Sequence, residues 1–172
     1  MRGSRDAAMR LVAVAAAILL CGAGPGQPAK PDGAQPGNDP FAALTLEGVD
    51  GRTIDLADYR GKVRVFDIWA SWCGPCRQII PELNELHARH RDRGLVVIGM
   101  SVDEHAAGVV VFQRKIPLRY PNGMFNEDAA ALFGYPKVVP TTYLVDRDGR
   151  IRKRFLGYVD AGRLEKAVLE LL

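Results

Sequence analysis

The sequence predicts an α/β fold, with a mixed central β-sheet, helices on both of its faces and an N-terminal hairpin extension. Three observations predict it. Lys62–Ala70 (KVRVFDIWA) is β-branched and aromatic, and Leu95–Val102 (LVVIGMSV) is a continuous apolar run, so both read as strands. Between them, Ile79, Ile80, Leu83 and Leu86 recur at helical spacing. Thr141–Val145 and Ile151–Leu156 flank the turn DRDG, Asp146–Gly149, as the arms of a hairpin do.

The remaining elements follow in chain order. Phe41–Glu47 and Thr53–Leu56 read as short strands around a turn at Asp50-Gly51. A helix is expected from Gly74 to about Arg93, kinked at Pro81 and ended by Gly94. Residues 104–115 are locally ambiguous, because Val109, Val110 and Val111 favour a strand. The alternation of elements argues for a crossover helix there instead. Glu127–Phe133 is expected to be a short helix capped by Asn126. Asp160 should cap a last helix whose apolar contacts come from Leu164, Val168, Leu169, Leu171 and Leu172.

Composition bounds the function. The chain has 172 residues, 48% hydrophobic and 25% charged, with a net charge of +3. Such values fit one globular domain with a small extra segment. They argue against disorder throughout, a collagen repeat or a polytopic membrane protein. No strong basic stripe marks a nucleic-acid partner. There are 23 basic and 20 acidic residues, and residues 1–21 hold Arg2, Arg5, Arg10 and Asp6. Residues 22–172 therefore carry 20 and 19, close to neutrality.

That basic start precedes a wholly apolar run, Leu11–Leu20, in the pattern of a secretory signal. The run is shorter than the ~20 residues of a spanning helix. Cys21 follows it. Lipidation of Cys21 as an anchor, ordinary cleavage after Ala23, and retention of the leader all remain open. Each places the body outside the cytoplasmic membrane. Residues 22–40 are about half Gly and Pro, without apolar periodicity, and read as a linker. The expected organisation is a signal or anchor at 1–21, a linker at 22–40 and one domain at 41–172.

The three cysteines are Cys21, Cys73 and Cys76. In Phe66–Cys76 (FDIWASWCGPC) the second and third form a Cys-x-x-C pair where a strand meets a helix. Helix N-termini stabilise anions, so a thiol there is acidified toward ~7 or below. Cys76 lies one turn later, close enough to form a disulfide. Half a zinc site is the competing reading, but zinc needs about four ligands and the body has no further cysteine. His87 and His90 sit in HARHRDR, a stretch that reads as a solvated face. A purely structural bridge would gain little entropy from so short a loop.

These residues resemble a known family. Trp72–Cys76 (WCGPC), Asp67 and the distant Val139–Thr142 (VPTT) look like thioredoxin. The leader, DGRTIDLADYRGK, SVDE and PTTYLVDRDGRI bring the match closer to the membrane-tethered TlpA/ResA/DsbE thiol–disulfide oxidoreductases. The resemblance covers about residues 41–172. It implies an exposed attacking thiol at Cys73, a buried resolving thiol at Cys76 and a cis Pro140 facing them. The Val139 backbone would pair with a substrate strand. Trp72, Gly74, Pro75 and Thr141 complete the implied substrate-binding set. Asp67 would be a buried acid that handles the proton of Cys76. An acid amid Phe66, Ile68 and Trp69 is costly unless it is paired or functional.

The implied activity is reduction of disulfides in envelope proteins, apocytochrome c among them, with electrons from a transmembrane CcdA/DsbD-type donor. The redox disulfide itself would be the only redox group, with no cofactor and no metal. An oxidase or isomerase is the alternative. A peroxidase would use Thr-x-x-Cys, whereas Ser71-Trp72-Cys73 stands here, and a metal-binding module would use the cysteine pair alone. Two positions depart from the group: Ile79 where Glu is frequent, and Tyr135-Pro136-Lys137 before Val138 where Gly is frequent. Both are expected on the docking face. Trp69 reads as core and Trp72 as partly exposed.

Overall fold

The computed structural model describes residues 39–172. The leader, Cys21 and the linker up to residue 38 lie outside the described residues. The central sheet has five strands in the order β5-β4-β3-β6-β7. They are β3 (Val63–Trp69), β4 (Leu95–Ser101), β5 (Asn122–Met124), β6 (Thr141–Val145) and β7 (Ile151–Leu156). β4 runs parallel to β3 and β5, whereas β6 is antiparallel to β3 and β7. A separate hairpin pairs β1 (Thr45–Glu47) with β2 (Thr53–Asp55). A Gly48–Gly123 bridge ties it to the edge of the sheet.

Alternation along β3 separates two cores. Val63 and Val65 share a cluster with Ile79, Leu83, Leu86, Leu164 and Val168. These come from α1 (Gly74–His90) and α4 (Ala161–Leu169), which cover that face. Phe66 and Ile68 share the other cluster with Phe41, Leu44, Leu46 and Phe133. Phe133 ends α3 (Glu127–Phe133). Its ring centroid lies 5.0 Å from that of Phe66 and 5.1 Å from that of Phe41. Such aromatic pairs add ~0.5–1.5 kcal/mol each beyond area burial. The crossover segment forms α2 (Ala106–Gln113), so topology overrides the local valine preference.

Several helix ends match their expected caps. Asn126 accepts from the amide of Ala129, and Asp160 from that of Arg163. Gly94 adopts φ 97°, a left-handed conformation that closes the helical run after α1. α1 continues through Pro81 as helix to His90.

Four details differ from expectation. Pro40–Ala43 is a 3-10 turn and not the start of a strand. Pro40 presets φ for a helical first turn, and Asp39 caps the amide of Phe41 at 3.1 Å. Asp39 and Pro40, expected in the linker, thus belong to this turn. β5 has no strand signature of its own, and pairing with β4 creates it. On α4 the buried stripe is Leu164, Ala167 and Val168, while Leu169 points out of it, 44% exposed.

Candidate active site

β3 ends at Trp69, and a short turn leads into α1, with the amide of Cys73 donating to the Ala70 carbonyl at 3.2 Å. Cys73 is the N-cap of α1, and its sulfur accepts from the amide of Cys76 at 3.2 Å. Pro75 has no N–H to leave unpaired in the first turn. Cys73 and Cys76 are joined by a disulfide, with their Cα atoms 5.3 Å apart. The helix N-terminus therefore points at the sulfur that would carry negative charge once the bond is reduced.

Cys76 is fully buried, as expected, but Cys73 is not the exposed thiol of the sequence reading. It is only 4% exposed in this oxidised state. Its sulfur lies 3.5 Å from the carbonyl oxygen of Val139, in the loop that passes over it. The Val139–Pro140 peptide bond is cis, as the resemblance implied. Around this covered sulfur, Trp72 is 67% exposed, and Gly74 and Pro75 are also open to solvent.

Thr141 plays a different part from the expected one. Its side chain is buried and donates to the Val138 carbonyl at 2.6 Å. Its side chain braces that loop from the inside. Trp72, Phe125, Tyr135, Val138 and Val139, with Lys137, line an open groove of about 410 Å³ beside the disulfide. Tyr135-Pro136-Lys137 thus reaches the expected face. Ile79 does not: it is 1% exposed and packs with Val65 and Leu83 in the core.

Asp67 is completely buried on β3. It shares the α1 face of that strand with Val65 and Trp69, and Trp69 lies in one apolar cluster with Cys73 and Cys76. Thr142 Oγ1 donates to Asp67 Oδ1 at 3.2 Å. Burial pushes the carboxyl up to about 7, and the Thr142 bond only partly opposes that. A group so placed takes up or releases a proton near neutral pH.

Asp103 carries a role that the sequence reading missed. Its carboxylate accepts from the Ser71 amide at 2.9 Å, the Ser71 hydroxyl at 2.7 Å and the Ser101 hydroxyl at 2.6 Å. It therefore clamps the turn before Cys73 to the end of β4. Its motif, SVDE, is visible in the sequence, but nothing there shows that Ser71 would meet it. The two helix histidines also correct an expectation. His90 is buried with Nε2 2.6 Å from Glu165 Oε1, and His87 Nδ1 accepts from the Val97 amide at 3.3 Å. They face α4 and β4, and do not form a solvated face.

Comparison with known proteins agrees with this geometry. The chain matches the AhpC/TSA family over residues 38–154. It is 27% identical over 124 residues to a thiol-disulfide oxidoreductase ResA of Bacillus cereus, covering 71% of this chain and 70% of that one. ResA of Geobacillus thermodenitrificans is 30% identical over 114 residues, 66% of each chain. Among solved structures, one described as a thiol:disulfide interchange protein DsbE from Chlorobium tepidum superposes with a TM-score of 0.68 at 30% identity, covering 74% of this chain and 92% of that one. A DsbF homologue from Corynebacterium diphtheriae gives 0.65 at 33% identity, covering 75% and 83%. The chain therefore belongs to the AhpC/TSA family, as a thioredoxin-like thiol–disulfide oxidoreductase of the ResA/DsbE type.

Proposed function

We propose that the protein reduces disulfides of proteins outside the cytoplasmic membrane, with apocytochrome c as the candidate client. One observation carries the mechanism. A Cys-x-x-C disulfide sits at a helix N-terminus, and a buried carboxyl with a proton affinity near neutrality lies on the adjoining strand. In the dithiol, the Cys73 thiolate attacks the client disulfide and a mixed disulfide forms. Asp67 takes the proton of Cys76, whose sulfur then attacks Cys73 and releases the reduced client. The sulfur of Cys76 is inaccessible to a large client, which suits a resolving role.

The groove beside the disulfide takes the client strand, with the Val139 backbone as its hydrogen-bonding edge and Trp72 as an exposed apolar contact. Gly74 and Pro75 keep the disulfide loop tight. The Gly-Pro spacer is that of thioredoxin, which sits near about −270 mV and acts as a reductant. The envelope is oxidising, so a transmembrane CcdA/DsbD-type donor must return electrons. The leader, with Cys21 as the candidate lipid anchor, and the linker would hold the domain at the membrane. Nucleic acid has no part in this reading, and the redox pair needs no cofactor.

Trapping tests it. Cys76→Ser should accumulate a mixed disulfide through Cys73 with an envelope client, identified by mass. A potential near about −120 mV would reverse the direction and make the protein an oxidant.

A further inference from the structure

Among the described residues, Asp67 Oδ2, the Tyr120 hydroxyl and Asn122 Nδ2 are buried on the α1 side of the sheet without a hydrogen-bond partner. They are neighbours. Asp67, Gly99 and Asn122 stand in one row across β3, β4 and β5. Strands lie ~4.8 Å apart, and Gly99 puts no side chain between the other two. The Asn122 carboxamide occupies that space, and its Oδ1 would collide with a β-carbon at Gly99. Tyr120 Cε2 stands 3.2 Å from the same point. Asn122 Oδ1 already accepts from the Trp69 indole at 2.8 Å, which leaves its Nδ2 donors over.

The leftover set is one acceptor, one amide donor and one hydroxyl that can do both. A single bridging water satisfies such a set. Tyr120 and Asn122 also line an open cleft beneath the β1–β2 hairpin, with Val49, Thr53 and Asp55 on its walls. Tyr120 and Asn122 thus belong both to this buried polar row and to the wall of an open cleft.

We infer that Tyr120 and Asn122 are positioning residues that exchange the Asp67 proton with solvent through this cleft. The inference rests on Asp67 being the base for Cys76. During resolution the Cys76 S–H bond breaks and its proton moves to Asp67. The sulfur's electron pair forms the S–S bond with Cys73, and the client sulfur leaves as thiolate. The proton on Asp67 then passes to the bridging water, and one proton leaves from the Tyr120 side into the cleft. No electrons move in that last step. Thr142 of β6 bonds Asp67, Tyr120 feels its charge, Trp69 on the same face of β3 clusters with both cysteines, and no charged side chain among the described residues contributes to its shift. Burial, and then the Asp67 charge, hold the Tyr120 hydroxyl protonated, so it remains a donor.

The test is the pH profile of mixed-disulfide resolution, measured by stopped flow in the full chain. Tyr120→Phe removes the hydroxyl end of the relay to the carboxylate, so the profile midpoint should rise by about half a unit and the rate at pH 7 fall ~2-fold. In an Asp67→Asn background the same change should have no effect. Melting temperature should not fall, because the deleted hydroxyl has no protein partner. If Asp67→Asn alters the profile and Tyr120→Phe does not, the relay is overturned and Asp67 keeps its role. If Asp67→Asn changes nothing, both fail. A lower melting temperature with an unmoved midpoint would reduce Tyr120 to a packing residue and overturn the relay.

Discussion

Thr142 and Asp67 are register partners on adjacent strands, and the threonine hydroxyl donates to the carboxyl at 3.2 Å. This is the only hydrogen bond to the Asp67 side chain among the described residues, so one of its oxygens stays unpaired. The bond lowers the proton affinity, burial raises it, and burial wins. The consequences reach both stability and rate.

The stability consequence has a definite sign. Asp67 moves from 3.8 to about 7 on folding, so the native state holds its proton more tightly than the unfolded state. Its favourable contribution is present below pH ~4 and is lost as pH rises through about 7. Asp67→Asn should therefore gain on the wild type by an order of a few kcal/mol between pH 4 and 8. Urea midpoints across that range would show it. Parallel curves would mean that the acid is ionised at little cost.

Gly99 is required by what lies over it. Gly99→Ala would drive a β-carbon into the Asn122 oxygen and toward Trp69 and Tyr120. The expected cost is ~1–3 kcal/mol, read by denaturant unfolding. Gly108→Ala is the control. It lies in α2 with nothing near its β-position, and should stabilise by ~0.5–1 kcal/mol.

Asp103→Ala should loosen the turn that carries Trp72 and Cys73. It strands the Ser71 amide and the Ser101 hydroxyl, at a cost of ~1–3 kcal/mol. Faster hydrogen exchange at Ser71 in the oxidised protein would confirm the clamp, and unchanged exchange would refute it.

Arg64 is entirely buried, 2.7 Å from Asp39 and over the face of Phe41. Asp39→Ala leaves that guanidinium uncompensated, and ~3–5 kcal/mol of stability should be lost. Adding Arg64→Met should recover most of it. A double variant no better than the single one would show that the aspartate acts mainly as the cap of its own turn.

Much of the fold is legible locally. β3, β4, α1, α3 and the β6–β7 hairpin carry their own periodicity, caps or turn residues. β5 does not, because Asn122-Gly123-Met124 becomes a strand only by pairing with β4. The same limit applies to the site. Cys73 and Cys76 are close in sequence, and their position at a helix start follows from local pattern. The cover over Cys73 comes from Val139, 66 residues further along the chain, and the inward bond of Thr141 lies in the same distant loop, so neither is legible locally. His90 reads as solvated because charges surround it in sequence, while in space Glu165 of α4 stands against it.

What the sequence determined by itself is therefore the α/β pattern, the Cys-x-x-C pair at a strand–helix junction and an acid in an apolar strand. Those depend on neighbours within a few residues. Tertiary structure alone decided how far the Asp67 proton is held, which residues meet it and what clamps the turn before Cys73. Each of those depends on desolvation and strand register, which bring Thr142, Gly99, Tyr120 and Asn122 around one carboxyl from separate segments of the chain.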